Sequence, residues 1–247
     1  MQRLDQALVE RGLCASREQG KRLILAGQVR VNGQVARKPS DSARSSDRLE
    51  IATPEKFVSR GGPKLESALD HFRVNVSGLT AIDLGASTGG FTDCLLQRGA
   101  NKVYAVDVGQ GQLAWKLRQD PRVTVMEKTN ARLLTLSSFP RDFSSADLIV
   151  ADCSFISLRK ILPAAVALLH VSGKIIALIK PQFEAGKRDA DKGAGVIRDP
   201  VVHERVIQEL RSFVTLELGL RWVGVVESPL RGPAGNKEFL ALIENAG

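Results

Sequence analysis

From residue 79 onward, short apolar segments alternate with amphipathic ones, and this alternation restricts the possible folds more than any other feature of the chain. Strands are predicted at residues 80–84, 102–107, 123–126, 146–151, 174–179, 221–227 and 238–243. Helices are predicted at residues 90–98, 113–119, 158–168 and 201–218. Apolar strands between helices indicate an α/β fold with a doubly wound, mostly parallel sheet. The helix-poor segment 228–237 predicts that the last strand pairs antiparallel.

The first 60 residues have a different pattern, and we predict that they form a small α+β domain ahead of an α/β domain at residues 61–247. Two short helices are predicted, the second opened by a capping box formed by Ser16 and Gln19. Alternating valines around Asn32-Gly33 predict a β-hairpin with a type I′ turn. Residues 49–51 are predicted to form a further strand.

Two polar segments precede the α/β domain. The serine-rich residues 39–47 are expected to loosen the first domain, and residues 53–56 are predicted to be a linker. A helix is predicted at residues 64–72, with Pro63 placed well for its first turn.

Composition and charge exclude several classes of protein. Hydrophobic residues make up 43% of the 247 residues, which is too many for a disordered chain. The longest apolar stretch, residues 161–169, is far shorter than the roughly 20 residues of a membrane span. The first residues lack the apolar core of a signal peptide. We therefore expect a cytoplasmic protein with no membrane association.

The charge is uneven and the cysteines are scattered. Residues 1–60 hold 12 Lys+Arg and 7 Asp+Glu, a net charge of +5, out of +8 for the whole chain. This excess favours a polyanionic partner for the first domain. The cysteines form no metal-ligand spacing, so we expect reduced thiols and no metal site; they are Cys14, Cys94 and Cys153.

A glycine-rich segment lies where the first strand of the α/β domain passes into its first helix. It runs Asp-Leu-Gly-Ala-Ser-Thr-Gly-Gly-Phe over residues 83–91, a spacing that is neither the dinucleotide fingerprint nor a P-loop. Asp83 ahead of the glycines is typical of methyltransferases. Asp107 ends the second strand, where a carboxylate can accept hydrogen bonds from both hydroxyls of an adenosine ribose. The alternative is a turn that only packs helix on strand.

Four ionisable residues are predicted to face the same crevice. They are Lys64, Asp152, Lys180 and Glu238. Asp152 and Lys180 follow strands, and in open α/β sheets the carboxyl ends of the strands form the ligand crevice. Three of them have another interpretation: Lys64 as an exposed lysine in a first helical turn, Asp152 as a helix cap and Glu238 as a surface strand residue. Lys180 is harder to interpret otherwise, because it ends an apolar strand and precedes Pro181.

This set suits methyl transfer to a hydroxyl. A ribose 2′-hydroxyl must lose its proton as it attacks a sulfonium methyl group, and a lysine can accept that proton only if its pKa falls. Desolvation and a nearby cation such as Lys64 both lower the pKa of a lysine. No metal is required, because positioning governs an in-line displacement on an already activated methyl group.

The chain resembles the TlyA-type ribosomal RNA 2′-O-methyltransferases, also called hemolysin A-like proteins, over essentially its whole length. The matching segments are residues 57–62, 83–91, 129–132, 180–184, and Asp152 together with 154–158. The sequence departs from the expected pattern at Pro63, where Leu is more usual, and at Cys153, where Val is expected. Neither position is part of the proposed chemistry.

The resemblance implies a Rossmann-like, FtsJ/RrmJ-type catalytic domain that uses S-adenosyl-L-methionine to methylate a cytidine ribose in ribosomal RNA. Lys64, Asp152, Lys180 and Glu238 would be the catalytic tetrad, with Lys180 nearest the 2′-hydroxyl. The implied cofactor-binding residues are Asp83, Gly85, Ala86, Ser87, Thr88, Gly89, Gly90, Phe91, Asp107, Val108, Glu127, Asn130 and Asp152.

The resemblance also implies that residues 1–60 are an αL-type RNA-binding domain, which would meet ribosomal RNA or ribosomal subunits. Basic residues of this segment could contact phosphates, and they are Arg3, Arg17, Lys21, Arg22, Arg30, Arg37 and Lys38. Residues 1–56 contain no aromatic side chain, so recognition of shape or backbone is expected rather than base stacking. The alternative is a solvated basic face.

Two other functions remain open from the sequence. A membrane-active cytolysin, which the family's second name suggests, is disfavoured because no long amphipathic apolar helix is predicted. A non-catalytic RNA-binding protein is disfavoured because all four tetrad residues are present. The Gly-, Asp- and Lys-rich segment 184–198 is expected to be a mobile loop near the cleft that orders on RNA binding.

Overall fold

A computed structural model describes residues 1–52, 56–186, 189, 193 and 195–245. Contacts within the chain divide it into two compact units, Met1–Lys56 and Phe57–Gly247. The boundary predicted after residue 60 lies four residues further along and remains a prediction. Most of the expected linker, residues 53–55, lies outside the described residues, as does much of the expected loop 184–198.

The first unit packs two helices against short antiparallel strands. Strands β2, β3 and β5 form one sheet in the order β3-β2-β5, and β1 pairs with β4. The apolar sides of both helices are buried with β2, which makes a small core around Leu4, Leu8, Ile24 and Val29. The elements are β1 (Gln2–Arg3), α1 (Leu4–Glu10), α2 (Arg17–Leu25), β2 (Val29–Val31), β3 (Gln34–Val35), β4 (Ser42–Ala43) and β5 (Leu49–Ile51).

Local sequence signals explain the turns of this unit. The Ser16 side chain accepts a hydrogen bond from the Gln19 backbone N–H and begins α2, as the capping pattern predicts. Asn32 and Gly33 both have positive φ, at 52° and 82°, which is the type I′ geometry that the hairpin requires. Residues 39–47, which are expected to loosen this unit, contain β4, which pairs with β1.

The second unit is built on a seven-stranded sheet in the order β11-β12-β10-β9-β6-β7-β8. Its strands are β6 (Thr80–Leu84), β7 (Lys102–Val106), β8 (Val123–Met126), β9 (Ala146–Ala151), β10 (Leu169–Ile179), β11 (Arg221–Glu227) and β12 (Phe239–Glu244). The strands from β8 to β10 pair in parallel, whereas β12 runs antiparallel to both β10 and β11. This confirms the mostly parallel sheet and the antiparallel last strand.

Helices cover both faces of this sheet. Alternate residues of β6 enter different clusters, with Ile82 and Leu84 on one face and Ala81 on the other, so each face has its own buried core. The helices are α3 (Gly61–His71), α4 (Gly90–Gln97), α5 (Trp115–Arg118), α6 (Leu162–Val166), α7 (Pro181–Glu184) and α8 (Pro200–Ser212). A π-helical turn, Phe213–Glu217, continues α8.

Several predicted boundaries are wrong. The helix expected at 158–168 is a 3₁₀ turn, Leu158–Lys160, followed by α6, and β10 begins five residues earlier than predicted. The sequence pattern missed this part of β10 because His170, Val171 and Ser172 are exposed and Gly173 follows them. Among the helices of the described residues, none has both the length and the apolarity needed to cross a bilayer.

Candidate active site

The glycine-rich turn joins β6 to α4 and passes very close to the end of β9. Gly85 has a φ of +86°, and a Cβ atom there would lie 2.9 Å from the Asp152 carbonyl oxygen. Gly89 has a φ of +98° and a Cβ atom there would clash with Leu117 of α5. Glycine is required at both positions because other residues would be strained and would collide with neighbouring groups. Gly85 allows the turn to approach the Asp152 backbone, whereas Gly89 allows α5 to pack.

Asp107 follows β7, at the carboxyl edge of the sheet beside this turn. Its two carboxylate oxygens accept hydrogen bonds from the backbone N–H groups of Ser87, at 2.8 Å, and of Gly109, at 2.7 Å. These bonds fix the carboxylate against the turn. Each oxygen retains a second lone-pair site, so the group can still accept hydrogen bonds from a pair of ribose hydroxyls.

A cleft of about 490 Å³ opens at this edge of the sheet. It is lined by two stretches of the chain beyond the turn, residues 129–132 after β8 and residues 152–156 after β9. The predicted cofactor residues that line it are Gly85, Ser87, Asp107, Val108, Asn130 and Asp152. Thr129, from the matching segment 129–132, also lines it, and so does Gln112, which the sequence did not single out.

Asp83 lies beneath the turn and has no exposed surface. Its Oδ2 accepts hydrogen bonds from the backbone N–H and the hydroxyl of Thr92, at 2.9 and 2.7 Å, while its Oδ1 has no partner among the described residues. Burial raises the pKa of this carboxyl to about 7, and the charges of Asp152 and Asp107 act in the same direction. The side chain is therefore directed at the base of α4 rather than placed on the cleft wall.

The remaining predicted cofactor residues have other positions. The Glu127 carboxylate accepts a hydrogen bond from the Gly111 backbone N–H and pairs with Arg118. Both contacts lower the pKa of this carboxyl, and the backbone hydrogen bond has the larger effect. Asn130 caps the 3₁₀ turn that follows β8. Ala86, Thr88, Gly90 and Phe91 line a second cleft instead of the first.

The four predicted catalytic residues form two buried ion pairs. Lys64 Nζ lies 2.5 Å from Glu238 Oε2, and both side chains are almost fully buried. Lys180 Nζ lies 2.6 Å from Asp152 Oδ1 and donates a hydrogen bond of 2.8 Å to the Ser154 hydroxyl. The interpretations of Lys64 and Glu238 as exposed residues are therefore wrong.

Both pairs line the second cleft, which has a volume of about 330 Å³ and adjoins the first. Four residues line both clefts, namely Gly85, Ser87, Asp152 and Ser154. A ligand in the first cleft therefore meets a ligand in the second at the edge formed by Gly85 and Asp152. Such an arrangement suits transfer of a group from one ligand to the other.

Ser154 lines both clefts and contacts Lys180, and no individual role was predicted for it from the sequence. It lies two residues beyond Asp152, in the same motif, which was the available signal. Phe155 beside it has a φ of +62°, is 91% exposed, and packs its ring 5.2 Å from the ring of Phe183. Cys153 forms no disulfide among the described residues and is partly buried. Burial raises the pKa of its thiol to about 12, and the charge of Asp152 is the second largest cause of this increase.

The basic residues of the first unit separate into two groups. Arg3 and Arg17 pair with Asp5, which is fully buried, and Lys21 pairs with Glu18. Among the described residues, no ion pair engages the other predicted cations, which are exposed: Arg22, Arg30, Arg37 and Lys38. Arg30 does donate a hydrogen bond to the Gly33 carbonyl oxygen. These four exposed cations are free to meet phosphate groups.

Comparison with known families matches both units. Residues 57–244 match the FtsJ-like methyltransferases, and residues 2–49 match the S4 domain. The first match covers the sheet, both clefts and both ion pairs.

Similar proteins align over nearly the whole chain. The chain is 48% identical to the 16S/23S rRNA (cytidine-2′-O)-methyltransferase TlyA of Mycobacterium tuberculosis, over 96% of its own length and 87% of the relative. It is 42% identical to Hemolysin A of Brachyspira hyodysenteriae, over 97% and 98% of the two chains. A solved structure of a candidate hemolysin from Streptococcus thermophilus has a TM-score of 0.75 and 43% identity, covering 98% of this chain and 88% of the other.

Proposed function

Because the chain belongs to the FtsJ-like methyltransferases and has an S4 domain before its catalytic unit, we propose that it methylates the 2′-hydroxyl of a cytidine ribose in ribosomal RNA. The observation that carries this proposal is the pair of buried lysine–carboxylate contacts in a cleft that adjoins the glycine-rich turn. The cytidine and the ribosomal RNA come from the activity for which the Mycobacterium tuberculosis relative is named.

The first cleft fits S-adenosyl-L-methionine. The cofactor supplies a methyl group already activated on a sulfonium sulfur. Gly85 lets the turn lie against the Asp152 backbone, because a Cβ atom there would lie 2.9 Å from the Asp152 carbonyl oxygen. Asp107 can accept hydrogen bonds from the ribose hydroxyls of the cofactor, and Asp83, whose buried Oδ1 has no partner among the described residues, lies beneath the turn.

In the second cleft, Lys180 is the residue placed to take the proton of the attacking 2′-hydroxyl. Its amine is held by the Asp152 carboxylate and the Ser154 hydroxyl, so its position is fixed before the substrate arrives. When bound, the cofactor would supply the methyl group that the 2′-oxygen takes up, and Lys180, as the neutral amine, would accept the proton that this hydroxyl loses. Lys64, held by Glu238, places a second cation in this cleft.

The first unit would bring RNA to this site. Its exposed cations can contact phosphates, which provide the sequence-independent part of RNA affinity. Methylation of ribosomal RNA would take place in the cytoplasm, with ribosomal RNA or ribosomal subunits as the partner.

The test compares Lys180→Ala with Lys174→Ala. Both lysines lie at β10, but Lys174 pairs with Glu244, outside the clefts. Labelled methyl transfer to ribosomal RNA and to ribosomal subunits is measured, together with cofactor affinity by calorimetry. We expect Lys180→Ala to reduce transfer by at least about a hundredfold, the lower end of the range for a general base, while it still binds the cofactor. Lys174→Ala should keep near-normal activity.

Other results would decide against the proposal. Retained transfer in Lys180→Ala would remove Lys180 as the base. Absence of transfer by the wild-type chain to every ribosomal RNA substrate would favour a non-catalytic RNA-binding protein. Release of the contents of RNA-free vesicles by the purified chain would favour the cytolysin.

A further inference from the structure

The segment between β11 and β12 forms a closed loop at the second cleft. Its ends are joined by a hydrogen bond of 2.8 Å from the Ser228 N–H to the Glu238 carbonyl oxygen. Within it, the Gly232 N–H donates to the Asn236 carbonyl oxygen at 2.9 Å. Pro233, at the tip of this loop, lines the second cleft together with Lys180 and Glu238. We call residues 228–238 the cleft loop.

Asn236 anchors the cleft loop to another part of the chain. Its side chain is 2% exposed. Its Oδ1 accepts a hydrogen bond of 2.8 Å from the Ile197 N–H, and its Nδ2 donates one of 2.9 Å to the Gly195 carbonyl oxygen. A buried amide that satisfies both backbone groups in this way fixes two loops in one arrangement.

A cavity of about 330 Å³ lies between the two anchored segments. Residues 196–198 form one wall, and the cleft loop forms another. The third wall is His203 of α8, which is 6% exposed; its Nε2–H donates to the Ile197 carbonyl oxygen at 3.0 Å. The cavity is therefore framed by hydrogen-bonded backbone and by a buried ring.

The charge on this cavity is cationic. Arg198, Arg231 and Lys237 line it, and none of its described lining residues is acidic. Lys237 pairs with Glu227 at 3.1 Å, whereas Arg198 and Arg231 are exposed and form no ion pair with any described residue. Two guanidinium groups thus face one cavity without a neutralising carboxylate among its described walls.

Another basic depression of the second unit is organised differently. It is lined by Arg159, Arg205 and Glu209, and the glutamate lies 3.4 Å from the first arginine and 3.8 Å from the second. Arg205 also pairs with Asp189. Its arginines are therefore neutralised by the protein itself, which sets the cavity between residues 196–198 and the cleft loop apart.

We propose that the cavity lined by Arg198, Arg231 and Lys237 binds a phosphodiester group of the RNA strand that carries the target nucleotide. The planar guanidinium group matches the geometry of phosphate oxygens and binds them by paired hydrogen bonds. The site rests on the proposed function, because it would hold the RNA backbone beside the nucleotide that enters the tetrad cleft.

The cleft loop gives this site a direct connection to the chemistry. The Arg60 guanidinium lines the second cleft and donates a hydrogen bond of 2.9 Å to the Arg231 carbonyl oxygen. A Cβ atom on Gly232 would lie 2.5 Å from Glu238 Oε1, so the backbone next to Arg231 touches the tetrad glutamate. Pro233 faces the tetrad cleft while Ala234 and Gly235 line the cationic cavity. One loop therefore separates the nucleotide site from the phosphate site.

The test uses the full chain and a ribosomal RNA fragment that the wild-type chain methylates. The double variant Arg198→Ala/Arg231→Ala is compared with Arg141→Ala/Arg211→Ala, which removes two exposed arginines with no ion pair among the described residues. RNA affinity is measured at several salt concentrations, alongside cofactor affinity and single-turnover transfer at saturating RNA. Thermal melting checks that each variant is folded.

Loss of this one phosphate contact should reduce the slope of log affinity against log salt by about 1, uniformly across RNA sequences. RNA affinity should fall at least about tenfold, since one charged hydrogen bond accounts for that much. Cofactor affinity should be unchanged. The variant Arg198→Lys/Arg231→Lys should keep the wild-type slope with an intermediate affinity, because the charges remain and the paired hydrogen bonds do not.

An unchanged salt slope in Arg198→Ala/Arg231→Ala, or an equal change of slope in the control pair, would overturn the phosphate site. Methyl transfer by the wild-type chain would in that case still support the proposed function. If no ribosomal RNA accepts a methyl group from the wild-type chain, the proposed function fails and this site, as a holder of that substrate, fails with it.

Discussion

Asp83 is a buried acid whose environment opposes its charge. Thr92 supplies its only two hydrogen bonds among the described residues, and burial raises the pKa of the carboxyl to about 7. In the unfolded chain the pKa of an aspartate is about 3.9. Between these two values the folded state binds more protons than the unfolded state, so stability falls as pH rises through this window.

The fall in stability with rising pH can be measured by comparing the wild-type chain with Asp83→Asn. The wild-type chain should lose about 1.4 kcal/mol of unfolding free energy per pH unit between about pH 4 and pH 7 from this group alone. The asparagine variant should lack that component, so the difference between the two chains should grow in favour of the variant as pH rises. Denaturant unfolding at pH 5, 6, 7 and 8 measures it.

Asp142→Asn is the matched control, because Asp142 is exposed. Its pH dependence should follow that of the wild-type chain. Parallel stability curves for the wild-type chain and Asp83→Asn would show that Asp83 has an ordinary pKa in the folded protein.

The proposed catalytic residues, Lys64, Asp152, Lys180 and Glu238, show which parts of a site can be predicted from sequence. Asp152 and Lys180 could be predicted because each follows an apolar strand whose carboxyl end must open on the crevice. The contact between Lys64 and Glu238 joins residues 174 positions apart, and no local pattern shows which carboxylate meets which amine. Ser154 was missed for the same reason, since its role depends on a lysine 26 residues away.

At the scale of elements, the turn between β6 and α4 limits how the two clefts meet. The φ of +86° at Gly85 would strain any other residue, and a Cβ atom at this position would collide with the Asp152 carbonyl oxygen. Gly78 has a similar φ of +79° but nothing within 4 Å of the position of a Cβ atom. Substitution of Gly78 therefore tests backbone strain alone, whereas substitution of Gly85 tests backbone strain together with steric contact at the cleft.

Gly85→Ala and Gly78→Ala should have similar backbone costs of about 1 kcal/mol. Only Gly85→Ala should also push the turn away from Asp152, and we expect it to weaken cofactor affinity at least tenfold, or about 1.4 kcal/mol. Calorimetric titration with the cofactor and thermal melting of both variants separate the two effects. Equal cofactor affinity in the two variants would mean that the close approach at Gly85 does not shape the site.

Elements with strong local signals were predictable, and elements that depend on tertiary contacts were not. The Asn32-Gly33 turn and the Ser16 cap follow from the φ preference of two residues and from one hydroxyl. The first half of β10 did not, because its pairing begins at Leu169 opposite Ala146 and then shifts register before Lys174. This part of the strand is stabilised by pairing with its neighbour, and its own sequence lacks the alternation of apolar residues from which a strand could be predicted.

At the scale of the whole molecule, the excess positive charge alone does not say where RNA binds. The net charge of +8 attracts any polyanion at long range. The structure separates cations engaged with carboxylates from those without an ion pair among the described residues. In the first unit, Arg3 and Arg17 belong to the former set through Asp5, and Arg22, Arg37 and Lys38 to the latter.

The triple variant Arg22→Ala/Arg37→Ala/Lys38→Ala tests whether contacts or overall charge hold the RNA. Its control, Arg141→Ala/Lys160→Ala/Arg211→Ala, removes the same charge from exposed positions of the second unit. If the first unit binds phosphates directly, its variant should reduce the salt slope for RNA binding by about 3 and the control should leave it unchanged. Because neither set touches a cleft, single-turnover transfer at saturating RNA should be normal in both. Equal losses of slope would mean that long-range attraction, not contact by the S4 domain, accounts for the affinity.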